Sequence, residues 1–305
     1  MANCSLCGRK LPPFTFGKQI CQWCVHHQAV QRGEIPDDAP QPVMAAPWTR
    51  SQSGMSVTKL FFGMNVAVFV GMVVAGVPIG GDPTGEQLLH WGANAGPYTL
   101  AGQWWRLLTS VFVHIGIIHI GFNMWCLWSL GALCESLYGS WTFGAVYLIC
   151  GVAGSVASVA WRPIGPPSAG ASGAIFGIAG ALIASYYLGE FSMPRFAIAG
   201  QLRSLLLFAG YNLLFGAISG RTDNAAHIGG LVAGLALGAL IARVAPNEND
   251  SARRLAVLAL VAALVVAAFV GLEHRVGRML TGRADHTAPW ERPTRRSYGP
   301  HYRRG

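Results

Sequence analysis

Ser172 lies in Gly170-Ala171-Ser172-Gly173, where a loop containing Pro163, Pro166 and Pro167 turns into a long apolar segment. A second apolar segment opens Asn224-Ala225-Ala226-His227 and continues through Gly230, Gly234 and Gly238. A base beside a serine raises the nucleophilicity of its hydroxyl. Each residue sits about one turn into its segment, so the chemistry they point to is hydrolysis of a peptide bond inside a bilayer. His119 and Asn123 are spaced i, i+4 on one face of a segment that is otherwise apolar (Ile117, Ile118, Ile120, Phe122, Met124). With the Ser172 backbone N–H they could donate to the oxyanion of a tetrahedral intermediate. The plainer reading is a pair of interhelical hydrogen bonds that hold a bundle together. A metal site is disfavoured, because no Asp or Glu joins these histidines. His114, nearer the outer surface, is expected to make a structural hydrogen bond to a connecting loop. Asp223 or Asn224 reads as the N-cap of the second segment, so no acid is left to orient His227 and the pair is a dyad.

The elements that must carry these residues are membrane helices. Of 305 residues, 52% are hydrophobic and only 11% charged, with a mean hydropathy of +0.40, against about 25% charged in soluble domains. A bilayer core needs about 20 apolar residues in helix. Leu60 to Ile79, Trp141 to Trp161 and Leu255 to Leu272 are uncharged runs of that order. The fold class is therefore all-α and polytopic, with spans expected near 57–78, 113–133, 141–161, 171–188, 202–219, 225–244 and 255–272. The segment from Gly80 to Arg106, with Trp91, Trp104 and Trp105, suits the membrane interface. The first apolar run follows a long polar stretch, which argues against a cleavable signal peptide.

Cys4, Cys7, Cys21 and Cys24 form a C-x2-C…C-x2-C pattern, the spacing of a tetrahedral zinc site, with paired disulfides as the alternative. Thiolate ligands imply a reducing compartment, which puts the N-terminus in the cytosol and Ser172 and His227 together at the outer face. The inner loops then carry Arg195, Arg203, Arg243, Arg253 and Arg254 against Arg162 and Arg221 outside, in partial agreement with the positive-inside bias. The net charge of +9 is concentrated in a tail with eight arginines after Glu273. That tail reads as solvated chain near anionic lipid, and no nucleic-acid-binding fold accompanies it. Seven spans place it outside, against the bias. Either it is translocated or the last run does not span, and the length of that run favours the span.

Four separated motifs resemble the signature of rhomboid intramembrane serine proteases. They are Gln103-Trp104-Trp105-Arg106-Leu107-Leu108-Thr109-Ser110-Val111-Phe112-Val113-His114 with His119 and Asn123, Gly131-x3-Glu135-x3-Gly139, Gly170-Ala171-Ser172-Gly173, and Ala226-His227-x2-Gly230-x3-Gly234. The resemblance covers roughly residues 60–245. It implies Ser172 as nucleophile, His227 as base, and His119 and Asn123 at the oxyanion. It also implies structural roles for Trp105, Arg106 and Glu135, and a transmembrane helix cut near its outer end as substrate. Where some relatives carry a tyrosine four residues after the serine, this chain has Phe176, whose ring can still stack on His227.

The expected organisation is a zinc ribbon at 1–28, a linker at 29–56, a six-helix core at 57–245, a seventh span at 255–272 and a basic tail at 273–305. No cofactor is expected for catalysis. Partners are expected to be transmembrane substrates and lipids, with no nucleic acid. A catalytically silent rhomboid-like scaffold is the rival from another class. A transporter would be expected to show internal repeats, and none is evident.

Overall fold

The apolar runs form helices, several of them bounded by a glycine at positive φ. The computed structural model describes residues 4–7, 20, 22–34, 56–80, 83–189, 195–220, 222–245 and 250–281. The linker at 35–55, Cys21 and the tail from 282 lie outside the described residues. Helix α1 (Gln22–Gln31) carries Cys24 and runs past the boundary expected at residue 28. The first span is α2 (Val57–Val74), shorter than expected because Gly76 turns the chain with φ +89°. Three short helices follow, α3 (Gly85–His90), α4 (Gly96–Thr99) and α5 (Arg106–Thr109). The second span comprises α6 (Gly116–Cys126), a π-helical turn at Leu127–Gly131 and α7 (Ala132–Tyr138). It starts later and ends later than expected, between Gly116 (φ +76°) and Gly139 (φ +82°). Then come α8 (Ser140–Trp161), α9 (Ser172–Leu188), α10 (Arg195–Ser219), α11 (Asn224–Val244) and α12 (Ser251–Thr281).

Six of these segments have the length and apolarity to cross a membrane; α9 is shorter, with 17 residues. Among the described residues there is no β-strand, only an isolated bridge between Asn94 and Ser168. The chain is a polytopic helical membrane protein. Leu207, Leu214 and Ile218 on α10 and Leu260, Leu264 and Val266 on α12 are exposed, as lipid-facing side chains must be.

Helix α9 is the centre. Gly173, Ala174, Gly177, Gly180 and Ala181 are all buried, and neighbouring helices cover it on all sides. Against it lies α11, in a register that can be read from its glycines. A Cβ on Gly230 would collide with the carbonyl of Gly173, one on Gly234 with that of Gly177, and one on Gly238 with that of Ala181. Because the paired numbers rise together, the two helices run parallel and begin at the same end of the bundle. Small residues at this spacing let backbones touch, which is the main source of helix association in lipid. Helix α8 closes the third side, with Gly154 against the Ala226 carbonyl and the Gly173 backbone.

Two buried charges fasten the periphery. Glu135 accepts from Ser56 Oγ (2.7 Å), the backbone N–H of Val57 (2.8 Å) and Thr58 (3.0 Å), Thr58 Oγ1 (2.6 Å) and Ser140 Oγ (2.7 Å). The carboxylate thus satisfies orphan donors at the start of α2, where negative charge is favoured. Arg254 on α12 donates to the carbonyls of Tyr138 (3.0 Å) and Ala245 (3.2 Å). These are the last residue of α7 and the C-cap of α11, so the seventh helix is bound into the core.

The seam makes a testable contrast between two glycines. A Cβ at Gly210 on α10 meets nothing within 4 Å, whereas Gly234 faces backbone. Gly210→Ala should leave the stability unchanged or raise it, by about 0.5–1 kcal/mol of backbone entropy. Gly234→Ala should lower it by about 1–3 kcal/mol through overpacking. Thermal denaturation of the two variants in one detergent reads the difference.

Candidate active site

Ser172 is the first residue of α9, and the segment before it is held from three directions. Asn94 and Ser168 exchange backbone hydrogen bonds (2.9 and 2.7 Å), and the Gly170 N–H donates to the Ser110 carbonyl (2.9 Å). The Ala171 N–H donates to His114 Nε2 (3.4 Å). Gly170 has φ +133°, and a Cβ there would fall 2.7 Å from His119 Cε1. Only glycine combines that backbone with that neighbour. With the Ala171 N–H engaged by His114, the Ser172 N–H remains one of the orphan donors at the helix start.

His119 packs its Cε1–Nε2 edge against Gly170, while its Nδ1 accepts from the Ile115 N–H (3.3 Å). An imidazole that accepts at Nδ1 carries its proton at Nε2, so a donor lies against the loop that leads into Ser172. Asn123 is buried one turn further along α6. Its Nδ2 donates to the His119 carbonyl (2.9 Å), which engages one of its two amide protons. His114 is fully buried, with Nδ1 3.2 Å from the Phe112 carbonyl and its ring centroid 5.2 Å from that of His119. The loop it holds is the one that precedes Ser172.

His227 lies on the opening turn of α11, three residues before Gly230. Since Gly230 sits on the Gly173 carbonyl, the imidazole belongs to the same stretch of seam as Ser172. The ring lies flat on Phe176 at 4.2 Å and 11°, and Phe176 is one turn along α9 from Ser172. The two residues thus lie on the opening turns of adjoining helices, with Phe176 the ring on which His227 rests. His227 Nδ1 is buried and has no hydrogen-bond partner. Asp223 is the N-cap of α11, accepting from the Ala226 N–H (3.1 Å), and its carboxylate also takes the Ser158 hydroxyl on α8. That link between α8 and α11 had no signal in the sequence, since Ser158 is one small residue among many in its span.

The other expected residues lie apart from Ser172. Arg106 donates to the carbonyls of Leu89 (2.7 Å) and Ala93 (3.1 Å) and to Gln103 Oε1 (2.7 Å), with its guanidinium 4.5 Å over the Trp105 ring. This pair knits the three short helices together. Glu135 caps α2.

At the N-terminus, the thiol sulfurs of Cys4, Cys7 and Cys24 lie within 4.8 Å of one another, those of Cys4 and Cys24 being 3.9 Å apart. Tetrahedral thiolates bound at about 2.3 Å to zinc are separated by about 3.8 Å, so the three residues fit such an ion.

Residues 101–244 match the Rhomboid domain family. The chain is 37% identical over 209 residues to Rhomboid protease GluP of Bacillus subtilis, covering 68% of this chain and 39% of GluP. It is 33% identical over 158 residues to Rhomboid-type serine protease 2 of Emericella nidulans, covering 52% of this chain and 31% of that protein. It thus spans less than half the length of either. Rhomboid protease AarA of Providencia stuartii is 30% identical over 204 residues, with 60% of this chain and 72% of AarA aligned. The aligned family domain contains Ser172, His227, His119 and Asn123, and with AarA covered over most of its length, the chain belongs to the rhomboid family.

Proposed function

We propose that this chain is an intramembrane serine protease in which Ser172 is the nucleophile and His227 the general base. The observation that carries the proposal is the stacking of His227 on Phe176, one turn from Ser172 in a seam whose helices both begin at that end. Ser172 Oγ attacks the scissile carbonyl and His227 takes its proton. The tetrahedral oxyanion receives hydrogen bonds from the Ser172 N–H, from His119 Nε2–H and from the remaining amide proton of Asn123. Collapse expels the amine, which leaves with the proton from His227, and water then hydrolyses the acyl-enzyme with the same imidazole as base. No carboxylate orients the ring. Its plane is set by the phenyl face, in keeping with an unpartnered Nδ1 and with Asp223 engaged elsewhere.

The substrate is a membrane-anchored protein cut near the outer face, with the N-terminus of the protease in the cytosol. The length of α9 supports a site below the surface. Its 17 residues span about 26 Å at 1.5 Å per residue, short of a hydrocarbon core of about 30 Å. A helix anchored at the inner face therefore starts beneath the outer one, and the loop at 162–171 dips in to meet it. Residues 57–245 form the protease core, with 255–272 as an added span.

At the N-terminus, Cys4, Cys7 and Cys24 with Cys21 as the fourth thiolate hold zinc. The ion would fix α1 to the segment around Cys4 and takes no part in the proteolysis. Lipid is the remaining partner, facing α10 and α12.

Ser172→Ala and His227→Ala should each abolish cleavage of a single-span substrate in proteoliposomes while the protein stays folded. His119→Ala and Asn123→Ala should each reduce kcat, by roughly 10- to 1,000-fold for loss of an oxyanion donor. Persistent cleavage by Ser172→Ala would mean another nucleophile, and a rate unaffected by His119→Ala would remove it from the oxyanion. For the metal, elemental analysis should find roughly one zinc per chain. Chelation should raise hydrogen exchange in α1 and leave exchange in α8, α9 and α11, and the cleavage rate, unchanged.

A further inference from the structure

The general base has little to hold it. His227 Nδ1 is buried without a partner, and the face of Phe176 restrains the plane of the ring but not its position within that plane. The backbone that carries the imidazole must therefore be fixed by something else. Asp223 fixes it with three groups. Its main-chain carbonyl accepts the N–H of His227 itself (3.2 Å), Oδ1 accepts the Ala226 N–H (3.1 Å), and Oδ2 takes the Ser158 hydroxyl. The first two close the opening turn of α11. The third ties that turn to α8, 65 residues away in the chain.

Ser158 is well placed for this. It lies four residues after Gly154, so the two share a face of α8, and Gly154 is the residue on which the Ala226 carbonyl rests. One face of α8 thus grips the His227 turn at two points, by backbone contact at Gly154 and by a hydrogen bond at Ser158.

We infer that Asp223, through Ser158, is a positioning residue for the general base, locking the backbone turn that presents His227 to Ser172 without touching the imidazole. The inference rests on the serine-protease reading. It predicts that geometry rather than charge matters at position 223, because a ring displaced by about 1 Å loses about 100-fold in rate.

The test uses the full chain in detergent, with the rate of fluorophosphonate labelling at Ser172 and kcat and KM for a single-span substrate as readouts. Asp223→Asn keeps an oxygen that caps as well as the carboxylate and an amide N–H that can donate to the Ser158 hydroxyl, so it should stay within about 3-fold of the parent. Asp223→Ala should lower both the labelling rate and kcat ~10- to 100-fold with KM little changed. Ser158→Ala leaves the cap in place and removes only the tie to α8. It should lower kcat in the same direction, and it decides the matter alone if Asp223→Ala does not fold. Rates unchanged in Ser158→Ala would overturn the inference. So would a loss in Asp223→Asn as deep as that in Asp223→Ala, because the charge would then be acting rather than the position. A loss confined to KM would overturn it too, by moving the residue to substrate binding. If the parent itself is not labelled at Ser172, the protease reading fails, and that outcome is distinct because it needs no variant.

Discussion

The contact of two backbones along the α9–α11 seam is the constraint on which the rest depends. Gly230, Gly234 and Gly238 lie on the carbonyls of Gly173, Gly177 and Ala181, a fit available only where one partner has no Cβ. In lipid no hydrophobic force drives apolar helices together, so this proximity is itself the stabilising interaction. On the protease reading it also has a catalytic consequence. A parallel pair in fixed register brings the first turn of one helix beside the first turn of the other, and Ser172 and His227 occupy those turns. Packing and chemistry therefore use the same stripe of glycines.

Around the seam, the polar groups are those that a short buried helix start requires. The N-terminus of α9 exposes unpaired N–H groups away from bulk water, where each would be costly if unused. His114 takes one of them, that of Ala171, and on the protease reading the Ser172 N–H is left to serve the oxyanion. The positive φ of Gly170 lets His119 come against the loop. Glu135 and Arg254 do comparable work at the far parts of the bundle, each serving helix ends with a single buried charge.

Much of this was legible in the residues. The apolar runs set α2, α8, α9 and α11 to within a few positions, whereas α10 begins seven residues before the expected span and α12 runs nine beyond it, because polar turns continue both helices; the glycine spacing at 230, 234 and 238 announced a close helix crossing. The shift in the second span was less visible, because Gly116 and Gly139 act through backbone dihedrals that composition does not reveal and the π-helical turn at Leu127–Gly131 leaves no pattern. The short helices between α2 and α6 were also hidden, since their pairing depends on Arg106 reaching carbonyls of Leu89 and Ala93. At the site, Ser172 and His227 stood out by type and spacing, and Phe176 only through the resemblance to rhomboid proteases. Asp223 was recognisable as a cap, but its bond to Ser158 joins residues far apart in the chain, and no local signal encodes it.

The central claim is that Ser172 is made reactive by His227 across this seam. Mass spectrometry of the protein after brief exposure to a fluorophosphonate measures that directly. The account predicts a single adduct on the peptide containing Ser172, formed far more slowly when His227 is replaced by alanine. An adduct on another residue, or labelling of Ser172 at an undiminished rate without His227, would contradict it.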